Sequence, residues 1–139
     1  MESFSYGQEA AGVNNFVELL LLLALLQVKH YYADFVIQTY DQTVRKGIYR
    51  DPCGISHSLD HVWTTMVVLL MFNVVQYISP LVIVAVAFVE GIVHYHIDWI
   101  KVKFGTKNMH SGLFWNQFGL DQLAHQLTYL YITYFIIIA

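Results

Sequence analysis

Four pairs of ionisable residues, each spaced four apart, interrupt the apolar runs of this chain: His30/Asp34, His57/His61, His94/Asp98 and Asp121/His125. In a helix a four-residue step places both side chains on one face, one turn apart. Seven histidines placed at random would yield roughly one such pair with another His or Asp. Four pairs, one per apolar segment, therefore constrain the fold. Each segment must be helical and must turn its pair toward an interior shared with the others.

The segments are too apolar for an ordinary soluble domain. The chain is 57% hydrophobic and only 12% charged, with a mean hydropathy of +0.49, and runs such as Phe16–Val28 carry a single charge, Glu18. A soluble all-helical protein is the competing reading, but four helices this apolar leave too little polar surface for it. The sequence predicts an all-α polytopic membrane protein, with four transmembrane helices in an antiparallel bundle. One domain spans 1–139, with helices at about 14–40, 56–77, 80–103 and 116–139. Asn14 or Asn15 and Ser56 serve as N-caps, Pro80 opens the third helix, and Gly105 ends it. Asp51-Pro52-Cys53-Gly54 reads as a turn within a polar loop, and Ser79-Pro80 as a tight link. The N-terminus lacks the basic and small-residue features of a cleaved leader, so the first helix is expected to stay. The single Cys53 allows no intrachain disulfide. A formal charge of -3 gives no support for nucleic-acid binding.

All seven basic residues (Lys29, Arg45, Lys46, Arg50, Lys101, Lys103 and Lys107) fall near the end of the first helix, in the first loop, or around the end of the third. By the positive-inside rule these regions face the cytoplasm and both termini face outward. All four pairs then lie at a similar depth on the cytoplasmic side.

Ionisable groups at membrane depth are expensive, about 2.5–3.5 kcal/mol for an Asp near the centre. A chain keeping three Asp and five His there needs a specific return. The reading that supplies one is a metal centre with His30, Asp34, His57, His61, His94, Asp98, Asp121 and His125 as ligands, two ions being expected. Nitrogen and carboxylate donors without thiolates suit Zn, Fe or Mn. Gln27, Gln38, Thr64 and Gln122 are candidate outer partners, and Asp60 could replace a ligand on the second helix. A metal-free network of His–Asp hydrogen bonds competes for any one pair, but becomes strained for four. Haem fits poorly beside three carboxylates. Glu90 extends the polar face as partner of His94. His96 reads as a packing residue, His110 as a solvated loop residue, and Trp63, Trp99 and Trp115 as interfacial anchors.

The segments His30-Tyr-Tyr-Ala-Asp34-Phe-Val-Ile-Gln38, His94-Tyr-His-Ile-Asp98-Trp-Ile-Lys101 and Asp121-Gln-Leu-Ala-His125 resemble a family of small bacterial and phage membrane proteins, catalogued as domain of unknown function 3307. His57 or His61 corresponds to that family's histidine after the first basic loop. The third segment is richer than the family pattern by Glu90 and His96. The resemblance implies a four-helix membrane protein and leaves the activity open; the expected location is the bacterial inner membrane, as a multi-pass protein.

The function expected from the residues is a metal-dependent hydrolase of a phospholipid or prenyl-phosphate substrate, with the lipid bilayer as its surroundings. The alternatives are a di-iron oxidoreductase acting on a lipid chain, or a non-enzymatic metal carrier or structural membrane subunit. A homo-oligomer is compatible with either. The apolar outer halves of helices two to four count against a carrier, which needs a polar path across.

Overall fold

The computed structural model describes the backbone of residues 2–138 and the side chains of residues 16–137. Five α-helices and one π-helical turn follow in order: α1 (Glu2–Tyr31), the π turn (Tyr32–Val36), α2 (Tyr40–Arg45), α3 (Pro52–Phe72), α4 (Pro80–Phe104) and α5 (Gly112–Ile138). α3 packs along α4, α1 lies against α3 and α5, and α4 lies against α5. Among the described residues, two helical segments are long and apolar enough to cross a membrane, Phe16–Val36 and Pro80–Phe104.

The ends differ from those read in the sequence, for local reasons. The first helix starts at Glu2 rather than near residue 14, since no proline interrupts residues 2–15 and isolated glycines are tolerated. The expected cap at Asn14 or Asn15 falls on side chains outside the described ones. At its other end the helix does not reach residue 40. It widens into the π turn, closed by Ile37 N–H donating to Tyr32 O at 3.1 Å. Thr39 then opens α2 with a reciprocal cap, its hydroxyl accepting from Gln42 N and its own N–H donating to Gln42 Oε1 at 2.7 Å. α3 begins four residues before Ser56. Asp51 is its N-cap, accepting from Cys53 N at 2.9 Å, with Pro52 in the first turn. That backbone bond, together with the Arg45 guanidinium at 2.8 Å, holds the Asp51 carboxyl below its ordinary range. α3 ends at Phe72 rather than near Tyr77, and the Asn73 side chain accepts from Ile78 N across the link to α4.

The interior is layered along the helix axes. At one end lies an apolar core of Leu22, Leu26, Leu69, Phe72, Ile83, Tyr129 and Ile132, among others. One turn further along each helix come Lys29, Thr65, Glu90 and the Tyr129 hydroxyl. Beyond them are the histidines and aspartates. The outside is the reverse: Leu20, Val28, Leu59, Val67, Ile92, Leu120 and Leu127 all stand exposed. An apolar exterior around a polar interior is the arrangement lipid favours and water does not.

Gly91 lets α4 approach α3 closely. A Cβ there would collide with the Val62 side chain, and the Gly91 carbonyl accepts from Ser58 Oγ at 2.7 Å.

Candidate metal centre

Each long helix delivers its pair to one interior level. The π turn places Asp34 back under the end of α1, with Asp34 Oδ2 3.4 Å from His30 Nε2. α3 contributes His57 and His61, α4 contributes His94 and Asp98, and α5 contributes Asp121 and His125. All eight are at most 8% exposed at the side chain.

Asp34 Oδ1 is the hub. It lies 2.9 Å from His61 Nε2, 3.1 Å from His57 Nε2 and 3.6 Å from His94 Nε2. Asp98 Oδ2 closes the same space from the other side, 3.2 Å from both His57 Nε2 and His94 Nε2. With its amide oxygen turned toward Lys46 Nζ (3.1 Å), Gln38 adds a third oxygen 2.9 Å from His57 Nε2. One ring N–H cannot serve three oxygens while facing a second imidazole nitrogen. A cation bound by those lone pairs resolves the conflict. Tetrahedral ligands about 2.0–2.1 Å from a metal stand roughly 3.3 Å from one another, and the spacings here bracket that value. The donor set therefore fits a divalent ion.

Three groups of side chains have donor atoms mutually close enough to hold an ion: Asp34/His57/His61/His94, His30/His94/His125 and Asp98/Asp121/His125. Together they contain all eight residues read from the sequence. In the third group His125 Nε2 lies 3.8 Å from Asp98 Oδ1 and 3.7 Å from Asp121 Oδ1. His125 Nε2 and Asp121 Oδ1 are buried with no hydrogen-bond partner among the described residues. Asp98 thus turns one carboxylate oxygen to each end of the cluster.

The outer partners are partly as expected. Gln38 meets His57, and Gln122 Oε1 stands 3.3 Å from His30 Nε2. Thr64 instead donates to the Asp60 and His61 carbonyls, and Gln27 enters none of the hydrogen bonds described. Asp60 is held away from the cluster by Gln42 Nε2 at 2.8 Å. His96 and His110 are exposed.

Two lysines counted in the sequence among the charges of the cytoplasmic end, Lys29 near the end of the first helix and Lys46 in the first loop, are interior residues. Lys29 Nζ donates to Glu90 Oε1 at 2.9 Å and lies 2.9 Å from His61 Nδ1. Glu90 also accepts from Tyr129 and Thr65, and Tyr129 OH lies 3.0 Å from His30 Nδ1. Lys46 donates to Asp98 Oδ2 at 3.0 Å. Lys29 was detectable, since it continues the Leu22/Leu26 stripe at helical spacing. Lys46 was not: it sits just past a six-residue helix that lacks periodicity.

A family model described as "Protein of unknown function (DUF3307)" matches residues 21–139. No curated protein and no solved structure matches the chain.

Proposed function

The chain belongs to the DUF3307 family, and we propose that it is a membrane-embedded, divalent-metal-dependent hydrolase acting on a phosphate ester of a lipid. The observation that carries the metal reading is the convergence of Asp34 Oδ1 with the Nε2 atoms of His57, His61 and His94 at 2.9–3.6 Å, inside a protein whose exterior is apolar.

That exterior supports four crossings in an antiparallel bundle. α3 and α5 show exposed aliphatic faces along their lengths, Leu59 to Leu70 and Leu120 to Phe135, although among the described residues only Phe16–Val36 and Pro80–Phe104 reach the apolarity of a typical span. With Lys29 and Lys46 buried, five basic residues remain to set orientation: Arg45, Arg50, Lys101, Lys103 and Lys107. They all belong to one end, which the positive-inside rule assigns to the cytoplasm of a bacterial inner membrane, with both termini outside.

Two ions fit the donor arrangement better than one. The first would be held by Asp34, His57, His61 and His94, and the second by Asp98, Asp121 and His125. Zn, Fe and Mn all accept such donors. Ions so placed supply Lewis acidity toward a phosphate oxygen and a water of lowered pKa. The remaining chemistry falls to the chain. The water oxygen bonds to phosphorus as the ester P–O bond breaks. The water's proton passes to the departing alcohol oxygen.

The test is metal analysis of detergent-purified protein together with phosphate release from a lipid phosphate. Zn or Mn with metal-dependent release supports the proposal. Iron with an oxo-bridge absorption band and no release would replace it with a di-iron oxidoreductase. Protein without metal, melting identically with chelator or with added Zn, Fe or Mn, would end the metal reading.

A further inference from the structure

The seam between α4 and α5 holds two cavities that belong to one groove. The larger, about 570 Å³, is walled by residues from Val82 to Val93 on α4 and from Leu127 to Phe135 on α5. The smaller, about 310 Å³, continues toward the basic end between Ile97 and Gly105 on α4 and Gln117 and Ala124 on α5. On each helix the lining residues recur at steps of three or four across both cavities, so a single face of each helix forms the whole groove. Both volumes lie close to or within the usual range for small-molecule sites.

The two halves differ in chemistry. The larger is aliphatic and aromatic apart from Thr128 and Glu90, whose carboxylate is already taken by Lys29, Thr65 and Tyr129. The smaller contains Lys101, only half-buried, with Nζ 3.7 Å from Asp121 Oδ2 and 5.3 Å from the centre of the Phe118 ring. Its floor contains Asp121, which is 6% exposed and keeps Oδ1 unpartnered. His125, with its own unpartnered Nε2, stands behind the junction of the two halves. A half-buried cation at one end, an apolar channel at the other, and Asp121 and His125 between them match one kind of occupant.

We infer that the α4–α5 groove binds a single-chain lipid phosphate, its chain between Val82 and Phe135 and its anionic headgroup at Lys101, with the ester linkage against Asp121 and His125. This rests on the hydrolase reading for its chemistry, though not for the groove itself. The direction is the one a bilayer imposes: the headgroup lies at the end rich in lysine and the chain runs toward the apolar core. Lys101 leaves Asp121 for the phosphate, which is the stronger and more exposed partner.

The test uses hexadecyl phosphate with a diazirine at the chain end, photolysed with the purified full chain in detergent, and hexadecanol with the same label as control. The expected label falls on α4 and α5 around Val86, Val89 and Leu127, and unlabelled hexadecyl phosphate competes it away. Lys101→Met should reduce labelling by the phosphate about tenfold and leave labelling by the alcohol unchanged. Ala85→Trp and, separately, Leu127→Trp should block both probes while metal content and melting temperature stay as in the wild type. Label spread evenly over α1 and α3, equal labelling by phosphate and alcohol, or wild-type labelling of both tryptophan variants would overturn the inference. Metal content measured on the same samples separates the two proposals. Selective labelling of protein without metal removes the hydrolase reading and keeps the groove; bound metal with unselective labelling does the opposite.

Discussion

His57 Nε2 and His94 Nε2 face each other across 3.3 Å, and both lie 3.2 Å from the same oxygen of Asp98. Two imidazoles this close cannot both direct an N–H at one oxygen without crowding their protons. Asp98→Asn keeps the size and much of the hydrogen bonding but removes one negative charge and one donor oxygen. It should lower metal affinity about tenfold or more, with a loss of stability besides, because the buried Lys46 ammonium loses its carboxylate partner. Metal per chain by mass spectrometry and melting with and without chelator would check this. Unchanged metal content would separate Asp98 from the centre.

Glu90→Gln strands the Lys29 ammonium in the interior, where it is 4% exposed. Breaking a buried pair from one side costs about 3–5 kcal/mol. The double variant Lys29→Met/Glu90→Gln should recover part of that loss. Denaturation of all three in one detergent would measure it. Equal stability of wild type and Glu90→Gln would mean that the pair is dispensable.

Gly91→Val places a branched side chain against Val62 and pushes α4 off α3. Overpacking of this kind costs about 1–3 kcal/mol. Because His57 and His61 lie on one of these helices and His94 on the other, metal content should fall with stability. Gly112→Ala, where an added Cβ meets nothing within 4 Å, is the control expected to change neither.

The lowered Asp51 carboxyl makes its cap dependent on pH. A folded-state value below the unfolded one adds stability that is complete above the ordinary carboxylate range, about pH 4. That stability is lost as pH falls through the lowered folded value. Asp51→Asn carries a neutral cap that does not titrate. The melting temperature of the wild type should therefore exceed that of Asp51→Asn at neutral pH, and the gap should close on acidification. A gap constant with pH would show that the charge contributes nothing.

Reporter fusions at the two ends should both report the outer side, and a reporter between Arg45 and Asp51 the inner side. A C-terminus on the inner side would contradict the orientation, and termini on opposite sides would contradict an even number of crossings.

The pairs were legible because helical spacing and apolar context are both properties of the sequence. An i,i+4 pair inside an aliphatic run has one interior to face, and the eight residues do meet there. Helix ends were less legible. The π turn at Tyr32–Val36 has no signature among Ala, Phe and Val; it follows from bringing Asp34 beneath His30. Asp51-Pro52 was read as a turn although Asp followed by Pro is also a helix start. Lys29 was passed over under a correct general rule, since lysine near the end of an apolar run usually does mark a membrane face, although its place on the Leu22/Leu26 stripe pointed inward.

Those two lysines also set the electrical balance of the interior. Asp34, Glu90, Asp98 and Asp121 bring four negative charges, and Lys29 and Lys46 return two positive ones, leaving an excess of two negative charges when the histidines are neutral. One divalent ion brings that interior to neutrality, the state a low-dielectric medium favours. A second divalent ion leaves two positive charges over. A phosphate monoester in its dianionic form is the charge that cancels them, so on the two-ion reading the second ion and the substrate should bind as each other's counterion.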